Sequence, residues 1–247
     1  MINDIIFKLE KIIKKEKLIK AARIYGSSLY AEDIIDLDVA IIIPSINGIV
    51  DQSVYMHLRK LRKRLCRIFK IDIDLVPHTI DEIKDINSPL WHPRYNPSLV
   101  FGKDIKSKFP IKPILYGQLS VRNRFDPTSF ILHDTRTITR RQAIRSLKGE
   151  QARIFLAKLS HGPGNALTYI SSCKKQKYSI DPSNAEQAFK MFEPLYNINC
   201  KKYYHIIQEC KKVITDTGEL PIKRALNVLS WYELLVMSVF NDKKLKK

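Results

Sequence analysis

Two aspartates one residue apart, Asp36 and Asp38, are the residues of this sequence whose spacing points most directly to chemistry. They begin the run Asp-Leu-Asp-Val-Ala-Ile-Ile-Ile, whose apolar character is typical of a buried β-strand. Side chains at positions i and i+2 of a strand lie on the same face, so both carboxylates are expected to point the same way. Two like charges held that close are costly unless a cation lies between them, and a hard divalent ion bound by oxygens fits that place. The pair therefore predicts a metal site.

A Gly-Ser-Ser turn precedes this pair along the chain. The short segment 21–25 favours a first strand, and it ends at Gly26, which Ser27 and Ser28 follow. A glycine turn lets the backbone approach a phosphate closely, and backbone amides together with the Ser27 hydroxyl are suitable phosphate donors. The sequence thus predicts a phosphate-binding turn beside the metal site.

A second acidic strand is predicted at Ile71-Asp72-Ile73-Asp74-Leu75-Val76, which alternates acidic and apolar residues before Pro77. Aspartate is disfavoured in strands and in protein interiors, so two of them in alternation indicate either a functional role or a solvent-facing edge. Either residue is a candidate for a third acid. Chance assembly of a Gly-Ser turn and surface acids is the alternative interpretation.

The ordered set of a strand, a Gly-Ser turn, an Asp-x-Asp strand, a helix and a further acidic strand resembles the minimal nucleotidyltransferases of the DNA polymerase β-like superfamily. The matching residues are Gly26-Ser27, then Asp36-Leu37-Asp38-Val39 after an eight-residue spacer, and later the acidic strand at Asp72 and Asp74. The run Leu99-Val100-Phe101-Gly102-Lys103-Asp104 is similar to the strand and glycine that follow the third acid in many members. The resemblance covers about residues 20–106.

This resemblance implies a site that holds two Mg²⁺ ions. Asp36 and Asp38 would bridge the ions, and the third acid would bind the ion on the attacking hydroxyl and help remove its proton. Asp74 is favoured as the third acid because Asp-Leu-Val-Pro resembles the third-acid strand of the family, and Asp72 is the alternative.

The resemblance also implies a reaction. Gly26, Ser27 and Ser28 would hold the triphosphate of an NTP, and a nucleoside monophosphate would pass to an acceptor hydroxyl with release of pyrophosphate. The alternatives left open are nucleotidylation of a protein or a small molecule, and an inactive nucleotidyltransferase fold that binds nucleic acid, of the toxin or antitoxin type.

The charge of the chain favours a polyanionic partner. Lys and Arg total 43 against 25 Asp and Glu, which gives a net charge of +18 and a pI near 9.7, and residues 113–247 carry +12 of this charge. Basic surfaces gain affinity by releasing counterions from phosphate backbones, so RNA, and tRNA in particular, is the expected acceptor. Cationic aminoglycosides are disfavoured as acceptors by the same charge.

Composition and periodicity predict an α+β chain of two domains. Residues 1–112 are expected to form a catalytic domain with a small mixed β-sheet and flanking helices. Residues 113–247 are expected to form a basic all-α helical bundle that binds the acceptor, with residues 139–159 as one helix and residues 165–173 as the next.

The sequence predicts a cytoplasmic protein with reduced thiols. Its four cysteines show no Cys-x-x-Cys pairing, and lysines and glutamates interrupt the apolar residues of the first nineteen positions at helical spacing. This pattern lacks the continuous apolar core of a signal peptide or a membrane span, and no membrane partner is expected.

Overall fold

A computed structural model describes residues 2–26, 34–80, 102–106, 127–174, 178, 184–242 and 245 of the chain. The protein is α+β and mostly helical, with a small mixed sheet, as predicted. The chain divides into two compact units, Met1–Arg124 (unit 1) and Phe125–Lys247 (unit 2). The predicted boundary between residues 112 and 113 lies outside the described residues.

The described part of unit 1 contains the sheet and two helices. In chain order its elements are α1 (Ile2–Lys15), β1 (Ala21–Tyr25), β2 (Asp36–Ile43), α2 (Gln52–Phe69), β3 (Asp72–Thr79) and β4 (Gly102–Lys106). The strand order is β3-β2-β1-β4; β1 is antiparallel to β2 and to β4, whereas β2 and β3 are parallel. Parallel neighbours require a crossover connection, and α2 provides it.

Helices α1 and α2 pack on the sheet through buried apolar residues. Leu9 of α1 and Leu58 of α2 are fully buried. Lys106 of β4 fixes the end of α1, since its ammonium group donates to the carbonyl of Glu16 at 2.8 Å. The Glu16 carboxylate in turn accepts from His57 and Arg64 of α2, so the two helices are joined at this point.

Strand β3 is longer than the sequence pattern suggests. It runs through Pro77 to Thr79, although proline removes a backbone donor from a ladder. Within the described sheet β3 lies at one end, next to β2, and proline is tolerated in such a position. The last predicted strand begins at Gly102, and its expected residues 99–101 lie outside the described residues.

The described part of unit 2 is built from helices. They are α3 (Pro127–Ile144), α4 (Gly149–Ser160), α5 (Gly162–Lys174), α6 (Ala185–Tyr196), α7 (Cys200–Thr217) and α8 (Ile222–Phe240). Asn184 and Asn199 cap α6 and α7, since their side chains accept from Gln187 N at 3.0 Å and from Lys202 N at 2.8 Å.

The prediction of one helix over residues 139–159 is wrong, because α3 ends at Ile144 and α4 begins at Gly149. The segment between them is held by the connection between α7 and α8. The backbone N–H of Gly149 donates to Gly218 O at 2.7 Å, and that of Leu220 donates to Leu147 O at 2.9 Å. Gly149 also has φ +49°, a left-handed conformation that interrupts a helix.

A fully buried ionic cluster joins α3 to α8. Glu233 of α8 accepts a hydrogen bond from Arg140 Nε, and Arg136 Nε lies 4.0 Å from the same carboxylate oxygen. All three side chains are inaccessible to solvent. Removal of Glu233 would leave two buried arginine charges without this carboxylate, so the cluster favours the packing of α3 on α8.

The four cysteines are free, as predicted. Burial raises the pKa of Cys200 to about 12 and that of Cys210 to about 11, so both thiols stay protonated at neutral pH. Over the residues that the structure describes, no helix combines the length and the apolar character needed to cross a membrane.

Candidate functional site

The four predicted acids are brought together by the parallel pairing of β2 and β3. The register aligns Asp36 with Asp72 and Asp38 with Asp74. Aligned residues of neighbouring strands project on the same face of a sheet, and so do residues two apart in one strand. Two pairs of carboxylates therefore line one face of the sheet at the start of both strands.

Burial differs sharply along this acidic face. Asp36 is exposed and Asp38 is half-buried, whereas Asp74 is only 2 % exposed. Aspartate at that level of burial is uncommon unless it is paired or binds a cation. The aligned pair of Asp38 and Asp74 is thus the enclosed part of the candidate site, and Asp36 lies at its rim.

Gly26 lies directly against the Asp38 carboxylate. The preceding residue, Tyr25, is aligned with Asp38 across the antiparallel pair of β1 and β2. Gly26 has φ +99°, and a Cβ atom added to it would lie 3.1 Å from Asp38 Oδ2. Only glycine suits this position, because it adopts a positive φ without strain and leaves room for the carboxylate. The other predicted residues of the turn, Ser27 and Ser28, lie outside the described residues.

Asp72 contacts side chains of helix α2 in addition to its pairing with Asp36 in the sheet. Its carboxylate accepts a hydrogen bond from Arg62, and Cys66 Sγ lies 3.7 Å from Asp72 Oδ1. An arginine beside a carboxylate neutralises the negative charge that would otherwise attract a metal ion. The charge of Asp72 is thus partly balanced by Arg62, whereas Asp74 is the more deeply buried of the two candidates for a third acid.

An ion pair that was not predicted from the sequence lies on the same face of the sheet. Arg23 is aligned with Ala40 of β2 and with Asp104 of β4, and its Nη1 lies 3.3 Å from Asp104 Oδ1. The Arg23 side chain is 6 % exposed and that of Asp104 is 50 % exposed. The available signal was a charged residue inside the short apolar strand Ala-Ala-Arg-Ile-Tyr, which is disfavoured unless the charge is paired.

Two features of the acidic face fit a divalent cation. Aligned carboxylates supply hard oxygen donors, and the glycine at Asp38 leaves one side of that carboxylate clear of a side chain. Within the described residues, no group of three or more His, Cys, Asp or Glu side chains is arranged to hold a metal ion. The assignment of Asp36, Asp38, Asp74 and Asp72 as metal ligands thus stays a prediction.

Comparisons with known proteins give no match for this chain: no family model matches it, and neither a curated protein nor a solved structure is significantly similar.

Proposed function

We propose that the protein is a Mg²⁺-dependent nucleotidyltransferase with a nucleotidyltransferase-like arrangement of unit 1. The observation that carries this proposal is the parallel register that aligns Asp38 with the buried Asp74, with Gly26 in contact with Asp38. A phosphate turn next to paired carboxylates is the arrangement that phosphoryl transfer requires, because this chemistry depends on positioning and on neutralising charge.

Each residue of the site has a defined role in this proposal. Asp36, Asp38 and Asp74 would hold the metal, with Asp72, which accepts from Arg62, as the fourth carboxylate. Bound Mg²⁺ would supply charge neutralisation at the attacking and leaving oxygens. The turn at Gly26 would admit the triphosphate close to the backbone.

The proposed reaction forms one bond and breaks one bond at the α-phosphorus of the NTP. The oxygen of the acceptor hydroxyl attacks that phosphorus, the bond to the β-phosphate oxygen breaks, and pyrophosphate leaves. The hydroxyl proton passes to a carboxylate oxygen of Asp74. Asp74 suits this role because its burial excludes water that would compete with the acceptor.

RNA, and tRNA in particular, is the proposed acceptor. The net charge of +18 supports it, because a polyanion gains affinity for a strongly basic protein through counterion release. Nucleotidylation of a protein or a small molecule would use the same site with another acceptor, and both are outcomes of the experiment below.

A transfer assay with labelled nucleotides tests the proposal. The protein is incubated with Mg²⁺, total RNA or cell extract, and each NTP labelled at either the α- or the γ-phosphate. We expect the α-label, and not the γ-label, to become attached to RNA, and we expect Asp38→Asn to abolish this transfer.

Asp51→Asn is the matched control for this assay. It removes the same charge from unit 1, and asparagine preserves the cap that Asp51 provides when it accepts from Ser53 N at 2.7 Å. The control should transfer as well as the wild type. RNA binding without movement of label to any RNA, protein or small molecule would refute the proposal and leave a nucleic-acid-binding protein.

A further inference from the structure

Helix α2 carries a row of exposed cations that the proposed reaction does not use. The helix contains no acidic residue, and its outer surface presents what we call the α2 basic stripe. The stripe consists of Lys60, Lys63, Arg67 and Lys70, of which Lys70 is the left-handed residue that ends the helix. All four residues are exposed.

The stripe points away from the sheet because of the helical period. The buried side chains of α2 include Val54, Leu58, Leu61 and Leu65, which recur at spacings of three and four residues and pack inward. At 100° per residue, the stripe lies on the opposite side of the helix. From Lys60 to Arg67 the stripe extends about 10 Å along the helix axis.

The residues of the stripe differ from Arg62 and Arg64 of the same helix, which have acidic partners. Arg62 pairs with Asp72, and Arg64 pairs with Glu16. None of the ion pairs found among the described residues involves a member of the stripe. Arg67 and Lys70 gain some stabilisation from the negative end of the helix dipole, but Lys60 and Lys63 lie too far from the helix end to do so.

The stripe is therefore unfavourable to the helix in isolation. Lys60 and Lys63 are three residues apart and Lys63 and Arg67 are four apart, spacings at which like charges repel on a helix surface. A solvated surface without a binding role ordinarily mixes the two signs of charge. A single-signed row is relieved when a polyanion lies along it.

We propose that the α2 basic stripe binds the phosphate backbone of RNA. The choice of RNA rests on the proposed function, whereas the position of the binding surface rests on the stripe itself. A membrane surface fits less well, since the apolar face of α2 is mostly buried, and Ile68, at 50 % exposed, offers a single large apolar side chain to a bilayer. The stripe places RNA binding on unit 1, whereas the sequence assigned it to the basic second half of the chain.

Binding to a fluorescein-labelled single-stranded RNA, followed by anisotropy over a range of KCl concentrations, tests this inference. The triple variant Lys60→Gln, Lys63→Gln, Arg67→Gln should bind RNA about 10- to 100-fold more weakly near physiological salt. The slope of log K against log salt should become shallower by about 2, because each phosphate contact to a single strand contributes about 0.7.

A second triple variant, Lys201→Gln, Lys211→Gln, Lys212→Gln, removes the same charge from exposed positions of α7. It should retain RNA binding within a few-fold of the wild type. An equal or larger loss in the α7 variant would overturn the inference, and so would an unchanged salt slope in the α2 variant. Thermal melting of both variants verifies that these surface changes leave the fold intact.

Two further arms separate the inference from its alternatives. If the α2 triple variant lost binding to phosphatidylserine vesicles but retained RNA binding, the stripe would be assigned to a membrane and the RNA proposal would be overturned. The RNA measurement contains neither NTP nor Mg²⁺, so it does not depend on nucleotide transfer. Failure of nucleotide transfer would thus leave the stripe result standing, and failure of the stripe result would leave transfer untouched.

Discussion

Asp72 and Asp74 lie two residues apart on one strand, yet their surroundings differ, and so does their suitability as the third acid of the proposed site. Asp72 pairs with Arg62, and its side chain is 43 % exposed, whereas Asp74 is buried beside Asp38. We expect Asp74→Asn to reduce the rate of nucleotide transfer by about 10²-fold or more, since it removes both a metal ligand and a proton acceptor. Asp72→Asn should reduce it by less than about 10-fold.

Single-turnover transfer with the two variants at equal protein concentration measures this difference. Far-ultraviolet circular dichroism serves as the check that each variant is folded. A larger loss for Asp72→Asn than for Asp74→Asn would reverse the assignment of the third acid.

We predict that glycine is required at position 26 for two reasons: the backbone there has a positive φ, and the Asp38 carboxylate leaves no room for a side chain. Gly26→Ala places a Cβ atom 3.1 Å from Asp38 Oδ2 at a φ of +99°, so it should cost about 1–2 kcal/mol in stability and displace the carboxylate. The rate of nucleotide transfer should also fall, because the Asp38 carboxylate is displaced. Urea denaturation and the transfer assay measure the two effects.

Gly218→Ala is the control for backbone strain alone. Gly218 also has a positive φ, +70°, but a Cβ atom there meets nothing within 4 Å. The control should lose stability and keep its activity. If Gly26→Ala behaves in the same way, the contact between Gly26 and Asp38 has no role in catalysis.

At the scale of single residues, the sequence predicted which acids share a face but not what each acid contacts. The alternation of Asp72 and Asp74 with apolar residues follows directly from the two-residue period of a strand. The pairing of Arg62 with Asp72 depends on how α2 packs, and the sequence shows Arg62 only as one cation among several on the helix. Nothing in local periodicity distinguishes a paired arginine from a solvated one.

The elements of unit 1 were largely predictable because each is marked by its own residues. The bounds of β1 and β2 follow from apolar runs that end at Gly26 and Pro44. The register of β2 against β3 is a different matter, since apolar runs in both strands do not determine which residues are aligned. It is the pairing, and not the strands alone, that aligns Asp38 with Asp74.

In unit 2 a helix was predicted to end at residue 159, and α4 does end at Ser160. The next helix starts at Gly162, three residues earlier than expected, because α5 packs against α8 there. A Cβ atom at Gly162 would lie 2.7 Å from two ring carbons of Tyr232. Such a tertiary contact cannot be read from local sequence.

This contact predicts opposite effects for two neighbouring glycines of α5. Gly162→Ala should destabilise the protein by about 1–3 kcal/mol, because the Tyr232 ring must move, and its hydroxyl donates to Leu132 O at 2.9 Å. Gly164→Ala should be neutral or stabilise by up to about 1 kcal/mol, since its nearest atom is Ala188 Cβ at 3.8 Å and alanine favours a helix.

Chemical denaturation of the two variants compares them directly. The sign of the difference matters more than its size, because both substitutions add one methyl group to the same helix. Equal stability of the two variants would contradict the packing of α5 on α8.

At the scale of the whole molecule, composition predicted a polyanionic partner but not where it binds. The excess charge of residues 113–247 favoured the second half, whereas the stripe that we propose as the RNA-binding surface lies on α2 of unit 1. Net charge measures attraction to a polyanion, and only the arrangement of the cations shows a surface that fits its backbone. Part of the charge of unit 2 is also enclosed, since Arg136 and Arg140 are fully buried with Glu233.

In the proposed site, Asp38 and Asp74 together hold a divalent ion with an NTP. The most direct measurement is Mn²⁺ binding by electron paramagnetic resonance, with an NTP analogue that is not cleavable between the α- and β-phosphates. Mn²⁺ replaces Mg²⁺ at oxygen ligands and has a resolved signal. The wild type and Asp51→Asn should bind Mn²⁺ and the analogue together, and Asp38→Asn should bind at least about 10-fold more weakly. Equal binding by Asp38→Asn and Asp51→Asn, or no binding by the wild type, would contradict the assignment of this site.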